Sequence, residues 1–569
     1  MRQRSLNFIP PTEDDAHYAC RVSIGTPHVH ASAFLTVVAL AATAPSLAQS
    51  PPPLVLYSNL PGSPTRAAPA PNLQFQAGAS LTDAFLSLAV APGGDRWAIR
   101  ARVVPTAGGA ATEAILTGTL DNTTTAGGAR IIARTSQTSY VSSRTWDAFG
   151  ASLSANDANQ IAFAANLGGT TNDDELVTRW SESGGGTWAT IAREDTQALG
   201  QPAGVRYGPL LQAVHLLPNG LVGVHASLFA GAPTLQALFH LSAPGTGSLI
   251  ASNTTTTPSS QLASPNQPVA AFLVDQFTTG GNSSSFTSWY VARLSGPINT
   301  DMVLVRNNAV IAQEGFVKPG SGFSNPVATL IDVPATSASF PSSVGPGGPG
   351  GEALYFGSNA DTVDWAAVCS DSADTLIAQT NTPIFPGANE LWNDAEATST
   401  TFMGGAINST NVWVLAGKTN ASGSTNTVIV HETAGVILRE GDGLDLNGDG
   451  LANDNAILAD IAPGSIRFGS NGRVYAIVLI RSSTSTLRGW AVIRLLTPIG
   501  NVCDPIDFNN DASLFDPTDI DAFLSVFSEG PCVPATATCN DIDFNNDGSL
   551  FDPADIDSFL SVFSEGPCL

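Results

Sequence analysis

The sequence is poor in basic residues. Its 569 residues include 23 Lys and Arg against 48 Asp and Glu, so the net charge is −25 at pH 7, and Lys318 and Lys418 are the only lysines. Such an acidic chain repels a phosphate backbone and gains nothing at an anionic membrane surface. Nucleic acid is therefore excluded as a partner.

Hydrophobic runs long enough to cross a membrane are also lacking. The apolar run at residues 31–44 is too short to span a bilayer, and Ser46 and Ala48 after it suit cleavage by signal peptidase. We interpret residues 1–48 as a signal-peptide region with an unusual N-terminal extension, and residues 49–53 as a linker. The protein is expected to be secreted or displayed on a bacterial cell surface, with no transmembrane segment after cleavage.

Two common catalytic motifs are missing. The sequence contains neither His-Glu-x-x-His nor Gly-x-Ser-x-Gly. Carboxylate pairs of glycoside hydrolases come from distant segments and cannot be recognised in a single sequence. His215, His225 and His240 fall within one repeat but match no compact metal motif, and we expect them to be structural.

The sequence does contain a repeat. It is marked by Ile-Ala or Ile-Leu pairs that begin at Ile132, Ile191, Ile250, Ile311, Ile377 and Ile437. The successive steps are 59, 59, 61, 66 and 60 residues. A constant period of this size is typical of a repeat architecture.

Each period contains two predicted β-hairpins, because alternating apolar residues flank turns rich in Gly and Asn. One hairpin ends in the Ile-Ala pair. Positions in the other hairpin are Trp97, Ile161, Val222, Val412 and Val474, with weaker copies near Phe286 and Leu354. Two hairpins make the four strands of one propeller blade.

Seven such units predict a mainly β fold, a seven-bladed β-propeller over residues 54–498. An open solenoid and consecutive β-sandwiches are the alternatives. The last unit lacks its fourth strand, and residues 54–62 resemble it. We therefore predict that Val55 pairs in the same sheet as Val492, which removes the open sheet edges.

One segment resembles a motif of sialidase-like propellers. "SESGGGTW" at residues 181–188 is similar to their Asp-box, with Ser183 in place of the Asp. Asp-boxes are structural turns between the third and fourth strands of a blade. The resemblance supports the fold and indicates little about activity.

The segment 442–454, "DGLDLNGDGLAND", predicts a Ca²⁺ site. Oxygen-bearing side chains alternate, and Gly450 allows a sharp turn, as calcium loops require. The predicted ligands are Asp445, Asn447, Asp449, Leu451, Asn453 and Asp454. An EF-hand would have a carboxylate where Ala456 stands, so the pattern instead resembles thrombospondin type 3-like or isolated DxDxDG loops. A simple acidic turn is the alternative.

The tail, residues 501–569, is a duplicated unit. The segments 503–532 and 539–568 are identical at 25 of 30 positions, and the tail holds 14 acidic residues but no Lys or Arg. Such a cluster repels itself unless cations bind. The pattern predicts calcium ligands at Asp507, Asn509, Asp511, Ser513, Asp516 and Asp519, and in the second copy at Asp543, Asn545, Asp547, Ser549, Asp552 and Asp555.

A helix is predicted to follow each loop. In the first copy Asp516 caps the helix, Pro517 takes its first position, and Gly530 ends it. Ile520, Phe523, Leu524 and Phe527 form its predicted apolar face. Phe523, Leu524, Phe559 and Leu560 are expected to pack between the two helices.

These units resemble type I dockerin repeats, paired Ca²⁺ loop-helix units at the C-termini of secreted bacterial proteins. The resemblance implies a small α-helical domain that docks to a protein such as a cohesin. Two departures weaken it. Asp519 and Asp555 stand one position later than the family's last ligand, and Ala512 replaces the usual Gly.

Cysteines bracket each copy. We choose Cys503–Cys532 and Cys539–Cys568 among three possible pairings. A loop of roughly 30 residues closed in this way gains about 3–4 kcal/mol of stability. Disulfides fit an exported chain.

Two functional classes follow. The first is a non-catalytic binding or scaffold protein, with the propeller as a platform and the tail docking to a cohesin-like protein, a cell-envelope component or a glycan. The second is a glycoside hydrolase attached through its tail, suggested by the dockerin resemblance and the Asp-box. Carboxylates at the central mouth of the propeller would favour the enzyme.

Overall fold

Seven antiparallel sheets follow one another along the chain and form the predicted seven-bladed β-propeller. The structure is a computed structural model. It describes residues 51–78, 80–169, 174–229, 235–253, 255–281, 286–317, 327–329, 353–359, 363–369, 374–393, 401–497, 508–509, 517–528, 530–531, 544, 555–556 and 559–560.

The first strand of the propeller, β1 (Leu54–Ser58), belongs to the last blade. Blade one contains β2 (Leu73–Phe75), β3 (Phe85–Val90), β4 (Arg96–Pro105), β5 (Thr112–Thr119) and β6 (Arg130–Arg134). Blade two contains β7 (Trp146–Asn156), β8 (Gln160–Leu167), β9 (Glu175–Ser181) and β10 (Thr187–Arg193). Blade three contains β11 (Arg206–Leu216), β12 (Val222–Phe229), β13 (Leu235–Ala243) and β14 (Thr246–Ser252).

The remaining blades continue the pattern. Blade four contains β15 (Val269–Gly281), β16 (Phe286–Leu294), β17 (Met302–Arg306) and β18 (Ala309–Gln313). Blade five contains β19 (Val327–Thr329), β20 (Ala353–Asn359), β21 (Asp364–Cys369) and β22 (Asp374–Gln379). Blade six contains β23 (Phe402–Ile407), β24 (Trp413–Lys418), β25 (Thr427–His431) and β26 (Gly435–Arg439). Blade seven contains β27 (Ala456–Ile461), β28 (Arg467–Phe468), β29 (Arg473–Ser482), β30 (Arg488–Leu496) and β1.

The two weaker repeat positions lie where the seven-blade count requires them. Phe286 begins β16 and Leu354 lies in β20, which are the second strands of blades four and five. The prediction of seven units is therefore confirmed. The degenerate Asp-box also lies in its predicted place, because Ser183–Gly185 forms a short 3-10 turn between β9 and β10.

The Ile-Ala repeat marks a bulge in every fourth strand. Each Ile lacks a register partner, while the residues on either side of it pair with the third strand. The bulged residues are Ile132, Ile191, Ile250, Ile311, Ile377 and Ile437. A bulge increases the local twist and bends the strand. The repeated pair in the sequence thus corresponds to one β-bulge that occurs in six fourth strands.

The closing strand carries the same feature. In β1, Leu56 is the bulged residue, while Val55 pairs with Ile493 and Tyr57 pairs with Val492 of β30. The prediction that Val55 joins the sheet of Val492 is confirmed. β1 is therefore the fourth strand of blade seven, and it closes the ring.

A left-handed residue follows the fourth strand of blades one, two, four, five and six. The residues with positive φ are Ser136, Asp195, Gly315, Asn381 and Gly441. The N–H of each donates to a carbonyl at the start of the next blade, as from Asp195 to Tyr207 at 2.9 Å. Only Gly, Asn and a few polar residues tolerate this conformation readily, which explains the small polar residues after each Ile-Ala pair.

The hydrophobic core lies between neighbouring blades. One cluster joins Tyr57 of blade seven to Phe75 and Trp97 of blade one, and all three side chains are fully buried. Another joins Ile191 of blade two to Val224 of blade three. Each sheet thus buries both faces, as the apolar second and third strands require.

In the tail, α1 (Pro517–Phe527) begins at the predicted Pro517 and ends before Gly530. Phe523 and Phe559 stack with ring centroids 4.2 Å apart and are buried, so equivalent residues of the two copies share one core. The prediction for Leu524 and Leu560 is wrong.

Both leucines are 50% exposed. The buried face of α1 instead contains Asp519, Ala522 and Phe523. The helix is rotated relative to the prediction because the Asp519 carboxylate turns inward, where it accepts a hydrogen bond from the Asn509 N–H at 3.4 Å. Within the described part of the chain, no helix has the length and apolar character to cross a membrane.

Candidate metal centre

The predicted calcium segment forms a loop between blades six and seven. This metal loop, residues 442–454, leads from β26 to β27. Its main chain is tied to β27, since the Leu444 N–H donates to the Ala456 carbonyl at 2.9 Å. It is also tied to the closing strand on both sides of Asp445. The Asp445 N–H donates to the Pro53 carbonyl at 3.0 Å, and the Val55 N–H donates to the Asp445 carbonyl at 2.8 Å.

Three carboxylates of the metal loop lie together. One oxygen from each of Asp445, Asp449 and Asp454 lies within 4.8 Å of the other two. Asp445 is buried, Asp454 is half-buried and Asp449 is exposed. Among the residues that the structure describes, this is the one group of three or more acidic, His or Cys side chains close enough to share a metal.

Backbone N–H groups hold the buried carboxylate in place. Oδ1 of Asp445 accepts from the Gly448 N–H at 2.6 Å, and Oδ2 accepts from the Gly450 N–H at 2.9 Å. Gly448 and Gly450 both have φ near +80°, which a residue with a Cβ adopts only under strain. The two glycines thus allow the chain to curl around the Asp445 carboxylate.

Asn447 bridges the other two carboxylates. Its Nδ2 donates to Asp449 Oδ2 at 3.1 Å and to Asp454 Oδ1 at 3.0 Å, while its Oδ1 accepts from the Asp449 N–H at 2.8 Å. The partly positive NH₂ group of the Asn447 amide therefore lies between two carboxylates. A bound cation takes over that role only if the amide rotates and presents its oxygen, the atom that Ca²⁺ prefers.

The other predicted ligands of the loop differ in their surroundings. Leu451 and Asn453 are exposed. The Leu451 N–H donates to Asp449 Oδ1 at 2.9 Å, which leaves its carbonyl as the main-chain oxygen at the position where calcium loops use one. Three carboxylates, together with the oxygen that Asn447 can present, are the ligands that a hard divalent cation prefers.

The structure describes three of the twelve predicted tail ligands. Asn509, Asp519 and Asp555 are all buried. The rest lie outside the described residues: Asp507, Asp511, Ser513, Asp516, Asp543, Asn545, Asp547, Ser549 and Asp552. So do the four cysteines of the predicted disulfides, Cys503, Cys532, Cys539 and Cys568.

Of the three histidines of blade three, His225 and His240 are buried and His215 is half-buried. His215 and His240 lie in one cross-strand row, separated by Gly223 of the intervening strand. The ring of Phe277 from blade four occupies the space above Gly223, 3.0 Å from where a Cβ would be. Burial lowers the pKa of His215, His225 and His240 to about 4, so all three are neutral at pH 7.

Sequence reasoning missed the link between the metal loop and the closing strand. It identified Asp445 as a ligand and Val55 as part of the last sheet, but nothing local connects positions separated by most of the chain. The apolar pattern of residues 54–58 and the DxNxDG pattern are both visible. Only the geometry of ring closure brings them together.

No family model matches the sequence, and no curated protein matches it. Similar solved structures include the β-propeller domain of the Trilobed protease from Pyrococcus furiosus, with 8% identity over 73% of this chain and 95% of that chain and a TM-score of 0.36. The uncomplexed acylaminoacyl peptidase of Pyrococcus horikoshii is 9% identical over 74% of this chain, and the match spans 54% of that chain with a TM-score of 0.35. The exo-inulinase of Aspergillus awamori is 9% identical over 78% of this chain and 98% of that chain, with a TM-score of 0.24. These values are too low to transfer an activity.

Proposed function

We propose that the protein is an exported, non-catalytic binding platform whose ring is held closed by Ca²⁺ in the metal loop. The observation that carries the proposal is the position of this loop. The segment that gathers three carboxylates is also hydrogen-bonded to β1, on both sides of Asp445. Its tail is a calcium-stabilised docking domain for a cohesin-like protein, a cell-envelope component or a glycan.

Calcium binding and ring closure are coupled through Asp445. Three carboxylates within 4.8 Å repel one another, and a divalent cation removes that repulsion. An ion that binds the folded state alone stabilises it by mass action. Because the main chain of Asp445 pairs with Pro53 and Val55, loss of the loop conformation removes two hydrogen bonds from the closing strand.

The surroundings of the titratable groups support a non-catalytic role. Burial lowers the pKa of His431 to about 4, as in the three blade-three histidines, and their rings pack against Phe side chains. Burial raises the pKa of Glu175 to about 7, but Glu175 begins the third strand of blade two, away from the inner strand. Its Oε2 accepts from the Leu211 N–H of blade three at 3.1 Å, which is a structural contact between blades.

The tail ligands that are described support calcium binding there. The Asp519 carboxylate is fully buried on a helix whose other buried residues are Ala522 and Phe523. An ionised carboxylate in such a place needs hydrogen bonds or a cation. Asn509, another predicted ligand, lies beside it and donates its N–H to Asp519 at 3.4 Å.

The test is hydrogen exchange of the full chain with and without Ca²⁺. We expect Ca²⁺ to slow the exchange of the Val55 and Asp445 amides, because both hydrogen bonds depend on the loop. Asp449→Asn should abolish this protection, since the substitution removes one ligand charge and one carboxylate oxygen from an exposed side chain, with at most one of its two accepted hydrogen bonds lost. Peptides 53–58 and 441–458 report on the metal loop separately from the tail.

Asp147→Asn is the matched control. Asp147 is exposed on blade two, and its substitution changes the net charge equally. Calcium protection should be unchanged in this variant. Equal exchange of the two amides with and without Ca²⁺ would contradict the proposed role of the loop.

A panel of glycan substrates tests the non-catalytic part. The full chain with Ca²⁺ should show no turnover. Hydrolysis that a single Asp or Glu substitution in the propeller abolishes would establish the glycoside hydrolase instead.

A further inference from the structure

The sequence contains three Asn-Gly pairs, and the structure describes all of them. They are Asn219-Gly220, Asn447-Gly448 and Asn471-Gly472. In each pair the glycine has a positive φ, of 82°, 81° and 72° in turn. The asparagine Oδ1 accepts in each case from the N–H two residues later, at 3.0, 2.8 and 3.1 Å. The three pairs therefore share one local geometry and can be compared directly.

The chemistry available to such a pair is cyclisation. The lone pair of the glycine nitrogen forms a bond to the asparagine Cγ, and glycine permits this attack because no Cβ shields its nitrogen. The C–N bond of the side-chain amide breaks, and ammonia leaves with the proton that the glycine nitrogen loses. Water then opens the resulting succinimide at either carbonyl, which leaves aspartate or isoaspartate in place of the asparagine.

The three pairs differ in the group that accepts the glycine N–H. At the pairs in blades three and seven the acceptor is a main-chain carbonyl, of Leu217 at 2.9 Å and of Gly469 at 3.1 Å. The Gly448 N–H donates instead to the Asp445 carboxylate at 2.6 Å. A carboxylate can take up the proton as the nitrogen attacks and return it to the departing ammonia, whereas an amide carbonyl is too weakly basic to do so.

The departing nitrogen of Asn447 is also surrounded by carboxylates. Its Nδ2 donates to Asp449 Oδ2 at 3.1 Å and to Asp454 Oδ1 at 3.0 Å. This nitrogen gains positive charge as it takes up the proton, and two carboxylates stabilise that charge. Nδ2 of Asn471 donates to one carboxylate, that of Asp95 at 2.9 Å.

Water reaches the pair in the metal loop as well. Asn447 and Gly448 are both exposed, whereas the glycines of the other two pairs are buried. We propose that the metal loop is a site of self-modification, in which Asn447 is converted to aspartate or isoaspartate through a succinimide formed with Gly448. Ammonia is released and one water is consumed, so the reaction needs no cofactor and no second protein.

Either product changes the metal loop. Aspartate adds a fourth carboxylate and removes the NH₂ group that lies between Asp449 and Asp454. Isoaspartate adds one carbon to the main chain before Gly448, where a Cβ would lie 3.9 Å from Leu54 Cδ1 of the closing strand. The modification should therefore weaken the contact of the loop with β1 as the protein ages.

The effect of calcium on this reaction rests on the proposed function. A bound Ca²⁺ engages the carboxylates of Asp445, Asp449 and Asp454 and requires the Asn447 amide to present its oxygen. The proton acceptor and the groups that stabilise the departing nitrogen are then occupied by the ion. Calcium should therefore slow the modification.

The test is incubation of the full chain at neutral pH in chelator, followed by digestion and mass spectrometry of the peptides that contain the three pairs. We expect Asn447 to be converted at least about tenfold faster than Asn219 and Asn471, because a positioned proton acceptor has effects of this size or larger on rates. Calcium should slow the conversion of Asn447 and leave the other two rates unchanged.

Substitution of the carboxylates tests their roles. Asp445→Asn removes the proton acceptor and should slow the conversion of Asn447 to the rate of Asn219. If this variant does not fold, Asp454→Asn removes one charge beside the departing nitrogen and should slow the conversion by a smaller factor. Asp147→Asn, at an exposed position on blade two, is the matched control and should leave the rate unchanged.

Two results would overturn the inference. One is conversion of Asn447 in chelator that is no faster than conversion of Asn219. The other is a rate that the folded carboxylate variants leave unchanged. Fast conversion that Ca²⁺ does not slow would support the modification and contradict the proposed calcium site, so the two failures are distinguishable.

Discussion

Six blades of the propeller are built from continuous chain, whereas the seventh is built from both ends. In the six, a hairpin delivers the fourth strand directly to the third. In the seventh, the third strand must capture β1 from the far end of the chain, as when the Trp490 N–H donates to Asn59 Oδ1 across 431 residues. Closing so long a loop has an entropic cost that a hairpin does not have.

The closing strand carries additional anchors. Tyr57 stands where the other fourth strands have Ala or Leu after the bulge, and its ring packs against Phe75 and Trp97 of blade one. Asn59 Nδ2 donates to the carbonyls of Gln76 and Gly78. No hairpin joins β1 to the third strand of its blade. Its contacts with blade one hold it in place instead.

The largest expected effect comes from removing the Tyr57 ring. Tyr57→Ala should lower the free energy of unfolding by about 3–5 kcal/mol, because a fully buried aromatic side chain leaves a cavity at the seam. Chemical denaturation of the full chain measures it. Tyr57→Phe is the control and should lose only about 1 kcal/mol, the hydrogen bond from the hydroxyl to the Thr123 carbonyl. Similar losses in both variants would mean that the ring contributes little to closure.

The contact between blades three and four should be more sensitive to acid than the closing contact between blades seven and one. Burial lowers the pKa of His225 to about 4, whereas the unfolded chain protonates near 6.5. The unfolded state therefore binds an extra proton between these values, so stability falls as the pH decreases from 6.5 to 4 and then levels off.

His225→Leu should remove this contribution. The difference in the free energy of unfolding between the variant and the wild type should shift in favour of the variant by about 2 kcal/mol between pH 7 and pH 5. Urea denaturation at both pH values measures it. Neither ring nitrogen of His225 has a hydrogen-bond partner in the described structure, so the substitution breaks no such bond. Val224→Ala, beside it in the same strand, should have equal effects at both pH values. Parallel pH profiles for His225→Leu and the wild type would contradict this account.

A smaller difference is expected between two ion pairs. Arg494 of blade seven donates through Nε and Nη2 to both carboxylate oxygens of Asp121 of blade one, and its side chain is 11% exposed. Arg494→Gln should destabilise by about 1–2 kcal/mol. The exposed pair of Arg206 and Asp195, at the seam of blades two and three, should contribute about 0.5 kcal/mol when tested by Arg206→Gln. Equal effects would show that the closing seam has no special dependence on charge.

The smallest effect belongs to the metal loop without calcium. Asp449→Asn should change the free energy of unfolding by no more than about 0.5 kcal/mol in chelator, because the side chain is exposed. The wild type should become more stable on adding Ca²⁺ by a larger amount than the variant. Thermal unfolding with and without Ca²⁺ measures the difference. A variant that is strongly destabilised in chelator would indicate that Asp449 acts through its hydrogen bonds to Asn447 and Leu451.

The architecture could be predicted because each blade repeats the same local sequence pattern. The Ile of each Ile-Ala pair is the bulged residue of a fourth strand. The spacing of these pairs therefore gave the number of blades even where the hairpin patterns near Phe286 and Leu354 were weak. Closure by Val55 could be predicted from a missing strand at one end and a spare strand at the other. These are inferences about local pattern, which a sequence records directly.

The errors and omissions concern contacts that depend on three dimensions. Apolar residues of α1 predicted that Leu524 is buried, but the buried Asp519 carboxylate changed the face of the helix that turns inward. The oxygens of the metal loop could be predicted from their spacing, whereas the contact of Asp445 with Pro53 could not.

The bulge shared by all seven fourth strands makes the starting point of the chain interchangeable. Leu54 pairs with Arg494, two residues before the end of β30, so the two ends of the propeller lie side by side. A short linker could join them, and a new opening between the third and fourth strands of any other blade would recreate the present arrangement. Circular permutants of this kind are tolerated where termini are adjacent and exposed loops are cut. The ring thus has no structurally privileged beginning, apart from the extra anchors that Tyr57 and Asn59 provide at the present one.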